Sequence, residues 1–366
     1  MTFIKEILTE LEKLAPLPYQ EDYDNAGLLA GSPDTEVTGI LFTLDITEEI
    51  VSEAISRQCN LIVAHHPIIF KGLKKLNGKN YVERTLIKAI KNDIALYATH
   101  TNLDHVKGGV NWQIAQRLGL QNVKVLAPKK QTLTKLAFFC PVEHTQKVMT
   151  ALFEAGAGEI GDYRNCSFRS EGFGTFLPGE NAHPVIGERG ELETVKEHRV
   201  EVMLPSHLQG RVLNALRLAH PYEEVAYYMS ALENENQEVG AGAIGELPTP
   251  MEAKDFLTHL KHNMEASVFK YTEPTGRMIS RVAVCGGAGS FLLRDALSAG
   301  ADVFMTADYK YHEFFDAEGR IMICDIGHYE SEVFTKNLLH DYLSGKFSNF
   351  ALCLSEISTN PVRYFS

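Results

Sequence analysis

Short apolar runs alternate with amphipathic stretches through the first third of the chain. The runs GILFTLD (39–45), NLIVAH (60–65) and IALYATH (94–100) are β-rich, and the stretches near 47–57 and 81–92 space their apolar residues as helices do. Strands that alternate with helices in this way are typical of βαβ units and a mostly parallel sheet. The pattern therefore predicts an α/β architecture.

The last third of the chain repeats the alternation. We predict helices that begin near residues 290, 309 and 328, and strands at RVAVCG (281–286), ADVFMTA (301–307) and RIMICD (320–325). Both ends of the chain thus predict the same architecture. We expect residues 1–128 and 241–366 to form one split α/β domain with mostly parallel sheets.

Residues 129–240 follow a different order of elements. In sequence these are a strand at TKLAFFCP (134–141), a helix at 143–158, strands near 164–176 and 198–205, a helix near 207–219 and a strand near 225–232. The order β-α-β-β-α-β is that of a ferredoxin-like unit, which can be inserted into a loop of another domain. The Gly-rich stretch VGAGAIGELPTP (239–250) predicts a flexible segment where the chain re-enters the split domain.

Composition and charge narrow the class of protein. The 366 residues are 45% hydrophobic and carry a formal charge of −12, which argues against a broad basic surface for nucleic acid or anionic lipid. No apolar run approaches the roughly 20 residues of a membrane span. The six cysteines form no C-x-x-C pair, and the amphipathic first helix is unlike a signal peptide. We expect a cytoplasmic protein with no membrane or nucleic-acid partner.

The sharpest local feature is AHHPIIF, in which His65 and His66 follow the end of a buried strand. Open α/β sheets bind ligands beyond the carboxyl ends of their strands. Pro67 favours an extended backbone at His66, which can direct the two adjacent side chains differently. The pair is therefore a candidate set of metal ligands, although neighbouring histidines can also be a structural detail.

Two further segments place ligand-type side chains after strands. In YATHTNLDH, His100 and Asp104 follow a strand, and a carboxylate there can bridge two cations. In CDIGHYESE, His328 and Glu332 are four residues apart, so a helix would project both from one face. The alternatives are a helix or turn cap for Asp104 and a solvated first turn for His328 and Glu332.

The three segments gain force from their combination, because each is expected at the same edge of the predicted sheet. Three imidazoles and two carboxylates suit Zn, Fe, Mn, Co or Ni better than Ca or Mg. Two divalent ions with two carboxylates keep a formal charge near +2, which favours hydroxide and anions such as phosphate. The residues therefore predict a transition-metal centre that attracts anionic ligands.

Two other segments are weaker candidates. CGGAGSFLLRDAL (285–297) could present backbone N–H groups to a phosphate, but a simple packing turn is the alternative that we favour. TADYKYHEFF (306–315) offers Asp308, Tyr311, His312 and Glu313 to the same cleft, with solvated helix residues as the alternative.

Four segments together resemble a known family. They are AHHPIIF, ATHTNLD, TADYKYHEFFDA and DIGHYESE, and the intervening region carries AHPYEEVAYY. The combination spans essentially the whole chain and is similar to the NIF-three-like family, whose bacterial members carry the label GTP cyclohydrolase 1 type 2 homolog. The resemblance implies the long bacterial form, in which a split α/β domain contains a PII-like inserted domain.

The resemblance also implies a site and an assembly. By it, the metal ligands are His65, His66, Asp104, His328 and Glu332, and His100 is a further ligand or a partner of one. It implies two divalent transition-metal ions per chain, with Zn as the first candidate and Mn, Fe, Co or Ni as alternatives. It further implies that the chain assembles with itself into a ring, as a homohexamer.

Two hypotheses for function follow. The first is a metal-dependent hydrolase of the GTP cyclohydrolase type, acting on GTP or another nucleotide-like anion, with no catalytic residue assigned beyond the metal ligands. GTP is implied by the family label, since the sequence holds no independent purine motif. The second is a non-enzymatic metal-binding or regulatory scaffold in the shape of a ring.

The inserted domain is expected to govern assembly or access and to supply no metal ligand, because all five candidates lie outside residues 129–240. His220, Glu223 and Glu224 of AHPYEEVAYY are the counter-candidates for a second, weaker site. Capping of a helix end and contacts within the ring are the alternative that we favour for them.

Overall fold

The strands and helices lie close to the predicted alternation in a computed structural model that describes residues 1–365. In chain order the strands are β1 (Gly27–Ala30), β2 (Gly39–Thr43), β3 (Leu61–Ala64), β4 (Ala95–Ala98), β5 (Gln121–Lys129), β6 (Leu133–Pro141), β7 (Phe168–Phe176), β8 (Glu193–Pro205), β9 (Tyr227–Leu232), β10 (Asn236–Met251), β11 (Lys270–Tyr271), β12 (Ile279–Ala288), β13 (Val303–Ala307), β14 (Met322–Asp325) and β15 (Ala351–Leu354).

The helices, in the same order, are α1 (Ile4–Leu14), α2 (Glu48–Ser56), α3 (Tyr81–Lys91), α4 (Thr101–Asp104), α5 (Val110–Arg117), α6 (Thr145–Glu154), α7 (Gln209–Ala219), α8 (Ala253–Asn263), α9 (Leu293–Ser298), α10 (His328–Glu332) and α11 (Thr335–Ser344). Short 3-10 turns cover Leu17–Tyr19, Val142–His144, Ser206–Leu208, Ser290–Leu292 and Tyr311–Ala317.

The chain divides into two compact units. One, here the split unit, joins Met1–Ala127 to the chain from Val239 onward, and the other, here the inserted unit, is Pro128–Glu238. The mixed α/β architecture with mostly parallel sheets agrees with the prediction from the sequence. The ferredoxin-like identity of the inserted unit stays a prediction.

Two sheets build the split unit. The first has the strand order β1-β4-β3-β2-β15, in which β15, β2, β3 and β4 are parallel and β1 is antiparallel. The second has the order β11-β14-β13-β12-β10-β5, with β12, β13 and β14 parallel. Parallel strands align their carboxyl ends, so each sheet has one edge at which ligand-type residues can collect.

One hydrophobic core contains residues from both sheets of the split unit. Phe42 and Val63 of the first sheet and Val284 and Met305 of the second are fully buried in it. Strands β2, β3 and β13 are buried at every position, as expected for inner strands of a parallel sheet that is covered on both faces. The core therefore holds the two sheets in one unit.

Local signals fix the helices that separate the strands. The Thr47 hydroxyl accepts a hydrogen bond from the Ile50 N–H at the start of α2, and the Asn80 side chain accepts one from Glu83 N–H at the start of α3. Such caps satisfy N–H groups that have no partner within the helix. The caps therefore set the first residue of α2 and of α3, each at the end of the loop that follows a strand.

The inserted unit is a four-stranded sheet with the order β7-β8-β6-β9. Leu136, Phe138 and Val200 lie in one core with residues of α6 and α7, so both helices cover the same face of the sheet. At the end of α7, His220 places Nε2 2.9 Å from the Phe139 carbonyl and Nδ1 3.1 Å from the Tyr222 N–H. Both ring nitrogens of His220 thus contact the backbone, one on β6 and one just after α7. The helix-capping role stays a prediction.

The Gly-rich stretch 239–250 is not a flexible segment, and that expectation was wrong. It lies within the long strand β10, which pairs with β12 in antiparallel register. A side chain at Gly245 would lie 2.9 Å from the Leu120 side chain and 3.0 Å from the Gln121 carbonyl. Glycine is therefore present because another segment of the same chain packs closely against β10. A sequence alone does not distinguish this reason for a glycine from flexibility.

The six cysteines are free thiols. All six are unpaired, and Cys59, Cys140, Cys285 and Cys324 are buried. Among residues 1–365, helices of the length and apolar character needed to cross a bilayer are absent.

Candidate metal centre

Strand ends of both sheets deliver the predicted ligands to one place. His65 and His66 follow β3, and Asp104 ends the short helix α4 after β4. His328 and Glu332 open and close α10, which follows β14 of the second sheet. The expectation of a single sheet edge was wrong, because the carboxyl ends of two sheets meet here.

His65 is completely buried and has one nitrogen available for a ligand. Its Nδ1 lies 2.8 Å from the Thr99 carbonyl, which can only accept a hydrogen bond, so the proton resides on Nδ1. The Nε2 atom is buried without a hydrogen-bond partner and lies 3.6 Å from Asp104 Oδ1 and 3.7 Å from Glu332 Oε1. A neutral imidazole with a free Nε2 is the form that binds a metal.

His66 and His328 are held in the same way by carboxylates. Asp45 Oδ1 lies 2.7 Å from His66 Nδ1, and Asp308 Oδ2 lies 2.7 Å from His328 Nδ1. The two Nε2 atoms are 3.3 Å apart. Carboxylates on the far nitrogen orient a ligating imidazole and raise its basicity, a pattern common around protein-bound metals.

Glu332 occupies the middle of the cluster and is 3% exposed. Its Oε2 lies 2.9 Å from His66 Nε2 and 3.0 Å from His328 Nε2, whereas Oε1 faces His65. The two oxygens therefore belong to different groups of side chains. In the sequence, Asp104 was the carboxylate expected to bridge two cations, but Glu332 has this arrangement.

Asp104 contributes a second carboxylate on the His65 side. Its Oδ1 is buried and has no hydrogen-bond partner. Burial and the nearby charge of Glu332 raise the pKa of Asp104. A carboxylate oxygen that is desolvated, unpaired and close to another carboxylate is costly unless a cation compensates it.

His100 is oriented by a separate carboxylate. Asp24 Oδ1 lies 2.8 Å from His100 Nδ1, and Asp24 Oδ2 accepts hydrogen bonds from the Thr101 N–H and hydroxyl. Although burial opposes ionisation, these bonds lower the pKa of Asp24 to about 2. The His100 ring lies beside those of His65 and His66, with centroids 5.4 and 5.5 Å away.

The side chains of the cluster shift one another's pKa values strongly. Burial disfavours charge on His66, but hydrogen bonds to Asp45 and Glu332 raise its pKa to about 10. Burial likewise disfavours charge on His328, and Glu332 and Asp308 raise its pKa to about 9. Burial opposes ionisation of Glu332, yet the surrounding histidines hold its pKa well below the usual range. Protons on two imidazoles thus occupy positions that a cation would take.

A cavity of about 1420 Å³ opens over these side chains. Aromatic side chains from separate loops line it, namely Tyr23, Phe70, Tyr81, Phe291 and Tyr364. Lys270 also lines it but is engaged by Asp325, 2.6 Å away. The cavity therefore combines apolar walls with a polar cluster, as small-molecule sites do.

Three groups of side chains have the spacing of a metal site among residues 1–365. They are His65, Asp104 and Glu332; His66, His328 and Glu332; and His65, His66 and His100. All five ligands expected from the sequence are included, together with His100. The unpartnered His65 Nε2 and Asp104 Oδ1 fit a cation, since both are electron-pair donors that the protein leaves unsatisfied.

Sequence reasoning missed some of the supporting residues. Asp45 follows β2 just as His65 follows β3, so the strand-end rule could have found it. Asp24 lies in a loop and carries no such signal. Thr99 follows β4 but acts through its backbone carbonyl, which the residue type does not reveal. Of the residues offered by TADYKYHEFF, Asp308 joins the cluster, but Tyr311, His312 and Glu313 do not line the cavity.

At the glycines that end β12, two N–H groups already have partners within the protein and are not available to a phosphate. The Gly286 N–H donates to Asn111 Oδ1, 3.0 Å away, and the Gly287 N–H donates to the Ser331 hydroxyl, also 3.0 Å away. Gly287 has a φ of +61°, and a side chain there would overlap the Glu332 carboxylate. The packing turn favoured from the sequence is the better description.

Comparison with known proteins places the chain in one family. The profile described as Duf34/NIF3 (NGG1p interacting factor 3) matches residues 2–361. A Bacillus subtilis protein and a Halalkalibacterium halodurans protein, each named GTP cyclohydrolase 1 type 2 homolog, are both 37% identical to this chain. The matches run over 365 and 364 residues and cover 98% of this chain and 98% of each relative.

Solved structures give the same answer. A Bacillus cereus protein described as related to NIF3 is 38% identical and superposes with a TM-score of 0.87, covering 100% of this chain and 99% of the other. A Staphylococcus aureus protein is 31% identical with a TM-score of 0.79 over the same shares. The chain therefore belongs to the Duf34/NIF3 family.

Proposed function

We propose that the split unit binds two divalent transition-metal ions and uses them in hydrolysis. His65, Asp104 and Glu332 Oε1 would hold one ion. His66, His328 and Glu332 Oε2 would hold the other, so that Glu332 is shared. The division follows the distances from each Glu332 oxygen to the imidazole nitrogens.

One observation carries the proposal: the far nitrogen of each of these imidazoles is fixed by an oxygen. Thr99, Asp45 and Asp308 contact Nδ1 of the three histidines at 2.7 to 2.8 Å, which leaves every Nε2 directed at the same carboxylate. A structural histidine cluster needs no such uniform orientation. Metal sites depend on it, because the ligand tautomer must be correct.

The donor set favours metals of intermediate softness. Imidazole nitrogens with carboxylate oxygens suit Zn, Mn, Fe, Co or Ni, and we take Zn as the first candidate to test. Cys285 lines the cavity, but burial and the charges of Asp104 and Glu332 raise the pKa of its thiol. We therefore leave Cys285 out of the ligand set.

Bound divalent ions would supply Lewis acidity and lower the pKa of water at the site. The chain's own residues would then manage protons and orientation. His100 lines the cavity beside the cluster, and ionised Asp24 fixes its Nδ1 proton. His100 Nε2 is therefore suited to accept a proton from water or to donate one to a leaving group.

The substrate class follows from the cavity and the family. Relatives carry the name GTP cyclohydrolase 1 type 2 homolog. Aromatic side chains such as Tyr23, Phe70 and Phe291 offer faces on which a nucleobase can stack. The only lysine of the lining is already paired, so attraction of an anion would depend on the metal charges. We propose a nucleotide-like anion, with GTP as the compound to test.

The test is to incubate metal-loaded protein with GTP and to measure formate release and nucleotide products by chromatography. Zn, Mn, Fe and Ni are compared. The His65→Ala variant should lose turnover, because it removes a fully buried ligand. The His312→Ala variant is the matched control, since His312 is exposed on the neighbouring Tyr311–Ala317 turn and does not line the cavity.

The outcomes separate the two hypotheses for function. Formate release that requires metal and His65 supports the hydrolase. Release of other products from nucleotides would still support a hydrolase, but with a reaction other than that of a GTP cyclohydrolase. Stoichiometric metal without turnover of GTP, related nucleotides or phosphate esters would favour the non-enzymatic scaffold.

A further inference from the structure

A second cavity, of about 630 Å³, lies wholly within the inserted unit. It opens on the face of the sheet opposite to α6 and α7, beside the paired strands β7 and β8. The loop 177–192 covers it, and a 2.8 Å hydrogen bond from the His183 N–H to Glu223 Oε2 connects this loop to the segment after α7. The volume suits a small organic molecule.

A buried carboxylate lines this cavity. Glu197 of β8 is 7% exposed, yet it forms no ion pair with any described Lys, Arg or His. The Tyr222 hydroxyl lies near it, and burial and this carboxylate raise the pKa of the phenol, but the two groups do not have the geometry of a formed hydrogen bond. A buried carboxylate without a cation costs free energy unless something compensates it.

The cations nearest to Glu197 along the strands are already used. Arg199 Nη2 lies 2.7 Å from Glu201 Oε1, and Lys196 Nζ lies 2.7 Å from Glu171 Oε2. Glu224 adds another acidic group to the lining. The lining thus has one cation, the paired Arg199, and four carboxylates, those of Glu171, Glu197, Glu223 and Glu224. This negative balance selects for positively charged ligands.

Aromatic side chains form part of the remaining wall. Phe139 lies on the Glu197 face of the sheet, and Phe176 meets Tyr222 edge to face with centroids 5.7 Å apart. Directly opposite Glu197 in the β7–β8 pair is Gly172, at which an added Cβ would meet no atom within 4 Å. Gly172 thus leaves open space within the cavity, whereas a Cβ at Gly174, two residues further along β7, would overlap the Glu197 carboxylate.

We propose that this cavity binds a small organic cation, in which an ammonium group contacts Glu197 and an apolar or aromatic body lies against Phe139, Phe176 and Tyr222. A charged hydrogen bond to a desolvated carboxylate gives selectivity for the ammonium group, and aromatic faces attract both the cation and the body. The inserted unit is then a ligand-binding module with its own specificity. This assignment is independent of the metal centre.

The experiment uses the full-length protein and three probes of similar shape: benzylamine, benzyl alcohol and benzoate. Binding is measured by saturation-transfer NMR and calorimetry. Benzylamine should bind at least tenfold more tightly than benzyl alcohol, and benzoate should not bind. Equal binding of the three probes, or no binding of benzylamine at millimolar concentration, would overturn the proposal.

Variants assign the binding to this cavity. Glu197→Gln keeps the shape of the side chain and should weaken benzylamine binding at least tenfold, whereas Glu193→Gln, at a carboxylate of the same strand that does not line the cavity, should not. Gly172→Leu places a bulky side chain in open space that lines the cavity and should block all binding. Unchanged affinity in folded Glu197→Gln or folded Gly172→Leu would place the amine elsewhere and refute the assignment.

Discussion

Asp45 and His66 meet through a 2.7 Å contact between Oδ1 and Nδ1 at the end of two adjacent strands. The other oxygen of Asp45 accepts a hydrogen bond from the Thr359 hydroxyl, at 2.5 Å. Thr359 thus holds one carboxylate oxygen of Asp45, and the other oxygen holds the ring of His66. The orientation of this proposed ligand depends on a residue that does not itself face Glu332.

Removal of this support should weaken metal binding without removing a ligand. We expect Asp45→Ala to lower metal affinity about 10- to 100-fold, because the His66 ring loses both its orientation and its basicity. Competition with a chromophoric chelator measures the change. Asp34→Ala is the control, since Asp34 is a solvent-exposed aspartate paired with Lys5. Equal affinity of the two variants would contradict the role of Asp45.

The shared carboxylate predicts a specific stoichiometry. Glu332→Ala should lose both ions, because each proposed set of ligands includes one of its oxygens. Asp104→Ala should lose only the ion on the His65 side. Elemental analysis of protein dialysed against buffered metal measures ions per chain. A Glu332→Ala protein that keeps one tightly bound ion would show that Glu332 is not shared.

Metal binding should release protons. The pKa of His66 is raised to about 10 and that of His328 to about 9, so both imidazoles are charged at neutral pH before a metal binds. A cation must displace these protons, and apparent affinity should rise with pH until about pH 9 to 10. Calorimetry in buffers of different ionisation enthalpy measures the release. Affinity that is independent of pH between 6 and 9 would exclude His66 and His328 as ligands.

The same shifts set a pH dependence on the metal-free protein. Because the pKa of His66 is raised from 6.5 in the folded state, its protonated form stabilises the fold. This stabilisation is fully present below pH 6.5 and is lost as pH rises through the pKa of the folded state. Thermal unfolding of chelator-treated protein should therefore shift to lower temperature between pH 7 and pH 10. The metal-loaded protein should show a smaller shift, since its imidazoles are already neutral.

His100 should matter for turnover more than for metal content. If it carries a proton, His100→Asn retains both ions and loses activity, and Asp24→Asn has the same effect because Asp24 orients the ring. Metal content and rate are measured on the same preparations. Loss of an ion in His100→Asn would instead make His100 a ligand, as its proximity to His65 and His66 also permits.

Gly287 provides a test of the packing behind Glu332. Gly287→Ala should cost ~1–2 kcal/mol of folding stability from its positive φ, and it should also displace the carboxylate and lose metal. Gly276→Ala is matched to it, because Gly276 has a φ of +74° but no atom near the position of an added Cβ. Both variants should lose stability in denaturant unfolding. Only Gly287→Ala should lose metal.

Much of the fold could be predicted because local pattern and tertiary structure agree. The apolar runs that become β2, β3 and β4 are separated by the capped amphipathic helices α2 and α3, so short-range signals suffice. The glycines of β10 misled the prediction, since close packing and flexibility both favour glycine. Only the neighbouring Leu120 and Gln121 distinguish the two, and these are distant in sequence.

The candidate site was predictable in its residues but not in its geometry. His65, His66 and Glu332 could be selected from strand ends and helical spacing. The sequence could not indicate that they come from the edges of two sheets, because sheet membership depends on long-range pairing. Nor could it identify Asp24, which lies in a loop and reaches His100 across 76 positions of the chain.

The separation of His66 and Glu332, 266 positions apart, has a consequence for biosynthesis. A nascent chain that has emerged from the ribosome through the inserted unit already carries His65, His66 and Asp104 but not the carboxylate that both proposed ligand sets share. Tight metal loading would therefore follow translation of α10. Until α10 is translated, His65 and His66 are accessible to any metal present. Ribosome-bound chains stalled before His328 can be assayed for bound metal.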